Sequence, residues 1–127
     1  MIWMGKNDAM SDESVAALDA AADRNEAVAI SAISAWEIGM LSSKGRFAST
    51  LYPQAWFDDF VRGGNFRIAP LPPEVLAASS YLPGEPPKDP IDRIIIASAR
   101  HEKLTLVTRD RPILQYARAG HIRVIEC

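Results

Sequence analysis

The chain has 127 residues, 48% hydrophobic and 24% charged, with a net charge of −2, which suits one soluble domain, residues 1–127, with a packed core. No apolar run approaches the ~20 residues of a membrane span, and the start lacks the basic-then-apolar layout of a secretory signal, so a cytoplasmic protein is expected. Cys127 is the single cysteine, and His101 and His121 are the only histidines. An internal disulfide, a thiolate zinc cluster and a histidine-rich metal centre are thereby excluded. A metal here would have to be held by carboxylates, which favour hard ions such as Mg²⁺ or Mn²⁺.

In chain order, "SDESVAALDAAADRN" predicts an amphipathic helix opened by Ser11 or Asp12 as cap. "EAVAIS" predicts a short buried strand, and "SAWEIGMLSSKG" a helix stopped near Gly45. "LYPQAWFDDFVRGG" predicts a helix ended by Gly63 and Gly64. "FRIAPL" reads as a strand and "PPEVLAASSYL" as a short helix with proline at its start. The Pro/Gly-rich piece Tyr81 to Pro90 reads as a loop. After it come a helix over "DPIDRIIIASARHEK", a buried strand over "LTLVT", a helix over "RPILQYARAG" and a last strand over "IRVIE". Short apolar strands alternating with helices predict an α/β fold with a parallel sheet covered on both faces. Trp36, Trp56, Phe57 and Phe60 sit at helical spacings and are expected in the core or a dimer interface. Met4, Met10 and Met40 read as packing residues.

Charge is uneven along the chain. Residues 1–87 carry 6 basic and 11 acidic side chains, whereas residues 88–127 carry 8 basic and 5 acidic. A basic last third is compatible with a polyanionic partner and equally with a solvated mixed surface.

Three acids fall where ligands of open α/β folds bind. The helix from about Pro90 to Lys103 is roughly 21 Å long at ~1.5 Å per residue, and the strand after it covers about 17 Å. If strand and helix run antiparallel, Asp110 returns close to Asp92. Glu37 lies early in the helix after the first predicted strand, so it too falls at the edge shared by strand C-termini and helix N-termini. Packed carboxylates repel one another, and a divalent cation would relieve that repulsion and activate a water.

Each acid also has a plain structural reading. Ser34 with Glu37 forms the spacing of a capping box. Asp89 is a natural cap, with Pro90 in the first helical position and Asp92 near the helix dipole. Asp110 is placed to cap the helix that begins near Arg111. Thr108 either points into the same site or is an ordinary strand residue. Arg93, Arg109 and Arg111 flank the acids, as contacts for phosphate or as local charge compensation.

At these residues the chain resembles a known family. "ISAISAWEIGM", "KDPIDRIIIASARHEKLTLVTRD" and the final "IRVIE" are similar to the PIN-domain ribonucleases of the VapC toxin type, in the family's order and over nearly the whole chain. The resemblance implies a small three-layer α/β/α fold and Mg²⁺- or Mn²⁺-dependent endonucleolytic cleavage of RNA. It assigns Glu37, Asp92 and Asp110 as catalytic metal ligands, with Thr108 as the hydroxyl residue beside the last acid. Asp89 belongs to the subgroup's "DP-DR" signature. A homodimer and a cognate VapB-like antitoxin are the implied partners. The family pattern opens with an apolar strand ending in Asp, whereas this chain opens "MIWMGKND". Ile2, Trp3 and Met4 resemble the tail of that segment, and Asp8 and Asp12 fall too late to replace its Asp. The first, central strand and the first catalytic Asp are therefore expected to be absent, with activity weakened or abolished. That departure keeps a second reading open, a non-catalytic module that binds or titrates an antitoxin. A receiver-like phosphoacceptor domain is disfavoured, since no mid-chain Asp ends a strand ahead of the later Lys such a domain uses.

Overall fold

A computed structural model describes residues 9–127. Helix α1 (Asp12–Asp23) opens on Ser11, as expected, and the cap does two jobs. Ser11 Oγ accepts from the Ser14 amide at 3.2 Å and donates to the Glu126 carbonyl at 2.6 Å, which ties the first helix to the last strand. Ser14 beneath it is fully buried and donates to the Ser11 carbonyl at 2.9 Å. Strand β1 (Ala29–Ser31) pairs in parallel with β2 (Arg67–Ala69), Ile30 opposite Ile68. A parallel pair needs a crossover connection, and α2 (Ile33–Ser43) and α3 (Pro53–Gly63) supply it.

The end of α2 follows the expected glycine stop. Gly45 adopts φ +64°, and the Arg46 amide reaches back to the Leu41 carbonyl at 2.9 Å, which closes the last turn. At the end of α3 the left-handed residue is Asn65, at φ 51°, and not one of the two glycines. Gly64 serves a steric purpose, because a Cβ there would meet the Phe66 ring at 2.2 Å. Phe66 packs on Phe60 with ring centroids 5.1 Å apart, and Phe60 stacks on Trp56 at 5.5 Å.

A short helix α4 (Pro73–Ala78) runs into a 3-10 turn at Ser79–Tyr81. The proline-rich loop then leads to α5 (Pro90–His101), whose buried stretch is Ile95, Ile96, Ala97, Ser98 and Ala99. Strand β3 (Thr105–Thr108) pairs in parallel with β4 (Arg123–Glu126) across α6 (Arg111–Ala117). Ile96, Ile113 and Tyr116 form the buried cluster between these elements, with Leu82, Leu106, Ile122 and Val124 packed against it. The Tyr116 hydroxyl donates to the Pro83 carbonyl at 2.8 Å and anchors the proline-rich loop to that core.

The strands thus form two parallel pairs, β1–β2 and β3–β4, and not one continuous ladder among the described residues. The expected absence of a central strand falls on the start of the chain. The residues it was read from, Ile2 to Met4 and Asp8, lie outside the described residues, as does the packing expectation for Met4. No helix of the described residues is long and apolar enough to cross a membrane.

The surplus arginines of the last third are largely used inside the fold. Arg93 Nε donates to the Pro87 carbonyl, Arg100 to the His121 carbonyl, and Arg123 to the Lys103 carbonyl at 2.7 Å. Arg109 donates to the Ala9 carbonyl at 3.2 Å. These bonds tie loops and helix ends to neighbouring segments.

Candidate active site

One cavity of about 470 Å³ gathers the three acids. Glu37 enters it from α2, Asp92 from the first turn of α5, and Asp110 from the end of β3. The antiparallel return of β3 against α5 is what brings Asp110 back beside Asp92. Thr108 also lines the cavity and is 1% exposed. Its Oγ1 accepts from the Asp110 amide at 3.1 Å, which fixes the backbone where the last acid turns in.

Glu37 does not belong to a capping box. Helix α2 begins earlier than expected, with Ala32 at the cap position and no side chain bonding the free amides. Ser34 lies inside the first turn, 4% exposed, and its hydroxyl has no hydrogen-bond partner among the described residues. The reason is local. Ser31 ends β1 and its Oγ accepts from the Ile33 amide at 3.4 Å, so the chain turns into the helix before Ser34 is reached. Glu37 is thereby released from a capping role and faces the cavity.

The other two helix starts keep their caps. Asp89 accepts from the Ile91 amide at 2.8 Å, and it does not line the cavity. Asp110 accepts from the Ile113 amide at 3.0 Å while also lining the cavity. Capping and site-building are therefore not exclusive for Asp110.

Electrostatics single out Asp92. Burial, and after it the charges of Asp110, Asp89 and Glu37, together push its carboxyl up from the ordinary 3.8 to about 6. Like charges that disfavour one another's ionised form are what a cation would neutralise. All three acids offer hard oxygen donors, which suits Mg²⁺ or Mn²⁺ in kind. In placement the fit is looser, because among the described residues no three acidic, histidine or cysteine side chains converge into a ready ligand cluster. A bound ion would have to draw the carboxylates inward or complete its shell with water.

The arginines named from the sequence divide. Arg93 and Arg109 make the carbonyl contacts described above and do not line the acid cavity. Arg111, exposed at the start of α6, lines a separate cavity of about 730 Å³ with Glu13, Arg118 and Glu126. The only basic residue lining the acid cavity, among the described residues, is Lys44 at the end of α2, which no motif singles out. Trp36, expected in the core or a dimer interface, is 52% exposed and lines the acid cavity. Met40 lines it too. A helical stripe at Trp36, Met40 and Lys44 was available as a signal, but α2 carries apolar residues on all sides, so its inward face could not be chosen from the pattern.

Comparison with known proteins identifies the family. The PIN domain family matches residues 1–119. The chain belongs to the PIN-domain proteins of the VapC family. It is 31% identical over 91 residues to Ribonuclease VapC22 of Mycobacterium tuberculosis (strain ATCC 25618 / H37Rv), a match that covers 72% of this chain and 68% of that relative. No solved structure matches it significantly. PIN-domain ribonucleases generally use a divalent metal ion. The helices and parallel strand pairs described above are those of an α/β PIN-like fold.

Proposed function

We propose that this PIN-domain chain is a VapC-like toxin, an endoribonuclease that hydrolyses RNA phosphodiester bonds with Mg²⁺ or Mn²⁺. The observation that carries the reading is the meeting of Glu37, Asp92 and Asp110, from three separate segments, in one cavity. The resemblance of this chain to a named ribonuclease over most of its length supports the same reaction.

The three carboxylates would hold the cation. When bound, it supplies a water of lowered pKa and polarises a phosphoryl oxygen. The chain's own residues do the rest. Thr108 holds the Asp110 backbone in place through its hydroxyl. Asp110 is further fixed by its bond to the Ile113 amide, so its carboxylate is oriented before any ligand arrives. Asp92 is partly buried and faces the charges of Asp110, Asp89 and Glu37. Asp89 builds the helix start that presents Asp92. In the cell we place this protein in the cytoplasm, as one PIN-like unit over residues 1–127, a homodimer held in check by a VapB-like antitoxin.

A second reading has one observation in its favour. Among the described residues the acids line a cavity without converging on one point, which suits a non-catalytic PIN module that binds or titrates an antitoxin. RNA cleavage separates the two. A mixed pool of structured RNAs is incubated with the chain and Mn²⁺, beside an EDTA control and the Asp92→Asn variant. Cleavage by the wild type alone is expected. A folded chain that leaves RNA intact and co-purifies stably with an antitoxin peptide would establish the second reading instead.

A further inference from the structure

Trp36 is out of place for a packing residue. It directly precedes Glu37, it is 52% exposed, and it borders the cavity that holds the three acids. A large indole left half in water beside a polar site is open to stacking by an incoming ring. Met40 and Lys44 follow at the fourth and eighth positions along α2, so the three side chains share one helix face and all line the same cavity. The face therefore offers a flat aromatic surface, a polarisable thioether and a cation at the C-terminal end of the helix.

The charges explain what such a face would meet. Three carboxylates repel an incoming phosphodiester, and Lys44 is the sole basic residue bordering the cavity among the described residues. Lys44 is exposed, and among the described residues no hydrogen bond or ion pair engages its ammonium. A strand of nucleic acid presents alternating flat bases and phosphates. A single strand leaves its bases free to stack on an aromatic ring, whereas a duplex hides them.

We propose that Trp36 and Lys44 are positioning residues for single-stranded RNA. The indole stacks on the base beside the phosphate to be cut, and the Lys44 ammonium pairs with a neighbouring backbone phosphate. The inference rests on the ribonuclease reading for its purpose, but its binding arm can be tested apart from cleavage.

The first measurement is tryptophan emission on titration with a single-stranded RNA of about ten nucleotides, within the usual range of site sizes, in EDTA so that nothing is cut. Wild type is expected to be quenched, Trp36→Leu to show little quenching, and the same RNA annealed to its complement to be a poor ligand. The second measurement is steady-state cleavage with Mn²⁺. Trp36→Leu should raise KM roughly 5- to 150-fold, the range of one lost base–aromatic stack, with a much smaller change in kcat. Trp36→Tyr, which keeps a stacking ring, should restore most of the loss. Lys44→Met should reduce the slope of log affinity against log salt by about 0.7, the share of one phosphate contact on a single strand. Unchanged melting temperatures would set these effects apart from misfolding. The proposal is overturned if Trp36→Leu keeps wild-type quenching and KM, or if duplex binds as well as single strand. It is equally overturned if acrylamide cannot quench Trp36 in the free protein, because a second copy then covers the indole. A chain that cuts no RNA but shows Trp36-dependent quenching would sink the ribonuclease reading and leave this binding face standing.

Discussion

The first turns of α2 and α5 carry the same spacing, an oxygen-bearing residue with an acid three positions on. In α5, Asp89 caps the helix and accepts from the Ile91 amide. In α2, the helix has already begun at Ile33, so Ser34 is buried inside the turn and caps nothing. Yet the third-position acids, Glu37 and Asp92, reach the same cavity. A capping signature thus predicts the helix but not the destination of its acid. At both starts the acid is held by a helix whose beginning is settled by other residues, Ser31 in one case and Asp89 with Pro90 in the other.

Asp92 and Asp110 are where substitution should have the largest effect. Asparagine keeps the shape of each and, at Asp110, also keeps a good N-cap. Asp92→Asn and Asp110→Asn should each lower Mn²⁺-dependent RNA cleavage by roughly 100-fold or more, the scale of a lost metal ligand at a reaction centre, while both variants remain folded by circular dichroism. Wild-type cleavage by either would remove that acid from the site.

Thr108 comes next. Replacing it with valine keeps the volume and removes the acceptor of the Asp110 amide, so thermal or urea unfolding should show a loss of about 1–3 kcal/mol, the cost of an unsatisfied buried donor. Thr108→Ser should restore most of it.

Asp92 also sets a pH dependence in the metal-free protein. Its folded pKa, about 6, lies above the ordinary 3.8, so the folded state holds its proton longer than the unfolded chain does. Stability should therefore fall as pH rises from about 4 to about 6, and stay lower above that range. The group is partly solvated, so after discounting for solvent screening the effect is on the order of 1 kcal/mol. Asp92→Asn should flatten this part of the urea-unfolding profile and be the more stable protein at neutral pH. A profile that rises through this range would contradict the raised pKa.

The smallest effects test the two serine- and aspartate-led starts directly. Asp89→Ala should destabilise by about 1 kcal/mol through the lost cap. Ser34→Ala should leave stability unchanged or improve it by about 0.5 kcal/mol, because it removes a buried hydroxyl without a partner. Equal losses for both would restore the capping box in α2.

Much of this architecture was legible in the residues. Ser11, Gly45, Asp89 with Pro90, and Asp110 fixed helix limits through local bonds that spacing can reveal. The return of Asp110 to Asp92 followed from the lengths of one helix and one strand. Other features depend on contacts distant in sequence. The pairing of strands into two separate ladders is one. The engagement of Arg93 with Pro87 and of Arg100 with His121 is another, since a loop's path decides which carbonyl an arginine meets. Trp36 and Lys44 escaped for a different reason, because an apolar helix does not declare which face looks into a cavity.

In the proposed function Glu37, Asp92 and Asp110 act as one cation site. Calorimetric titration of Mn²⁺ into the folded chain tests it most directly, with Glu37→Gln, Asp92→Asn and Asp110→Asn beside it and Asp89→Asn as control. Saturable binding by the wild type and by the Asp89 variant, with clear weakening in each of the other three, is the expected result. Binding that is equal in all five proteins, or absent from the wild type, would contradict it.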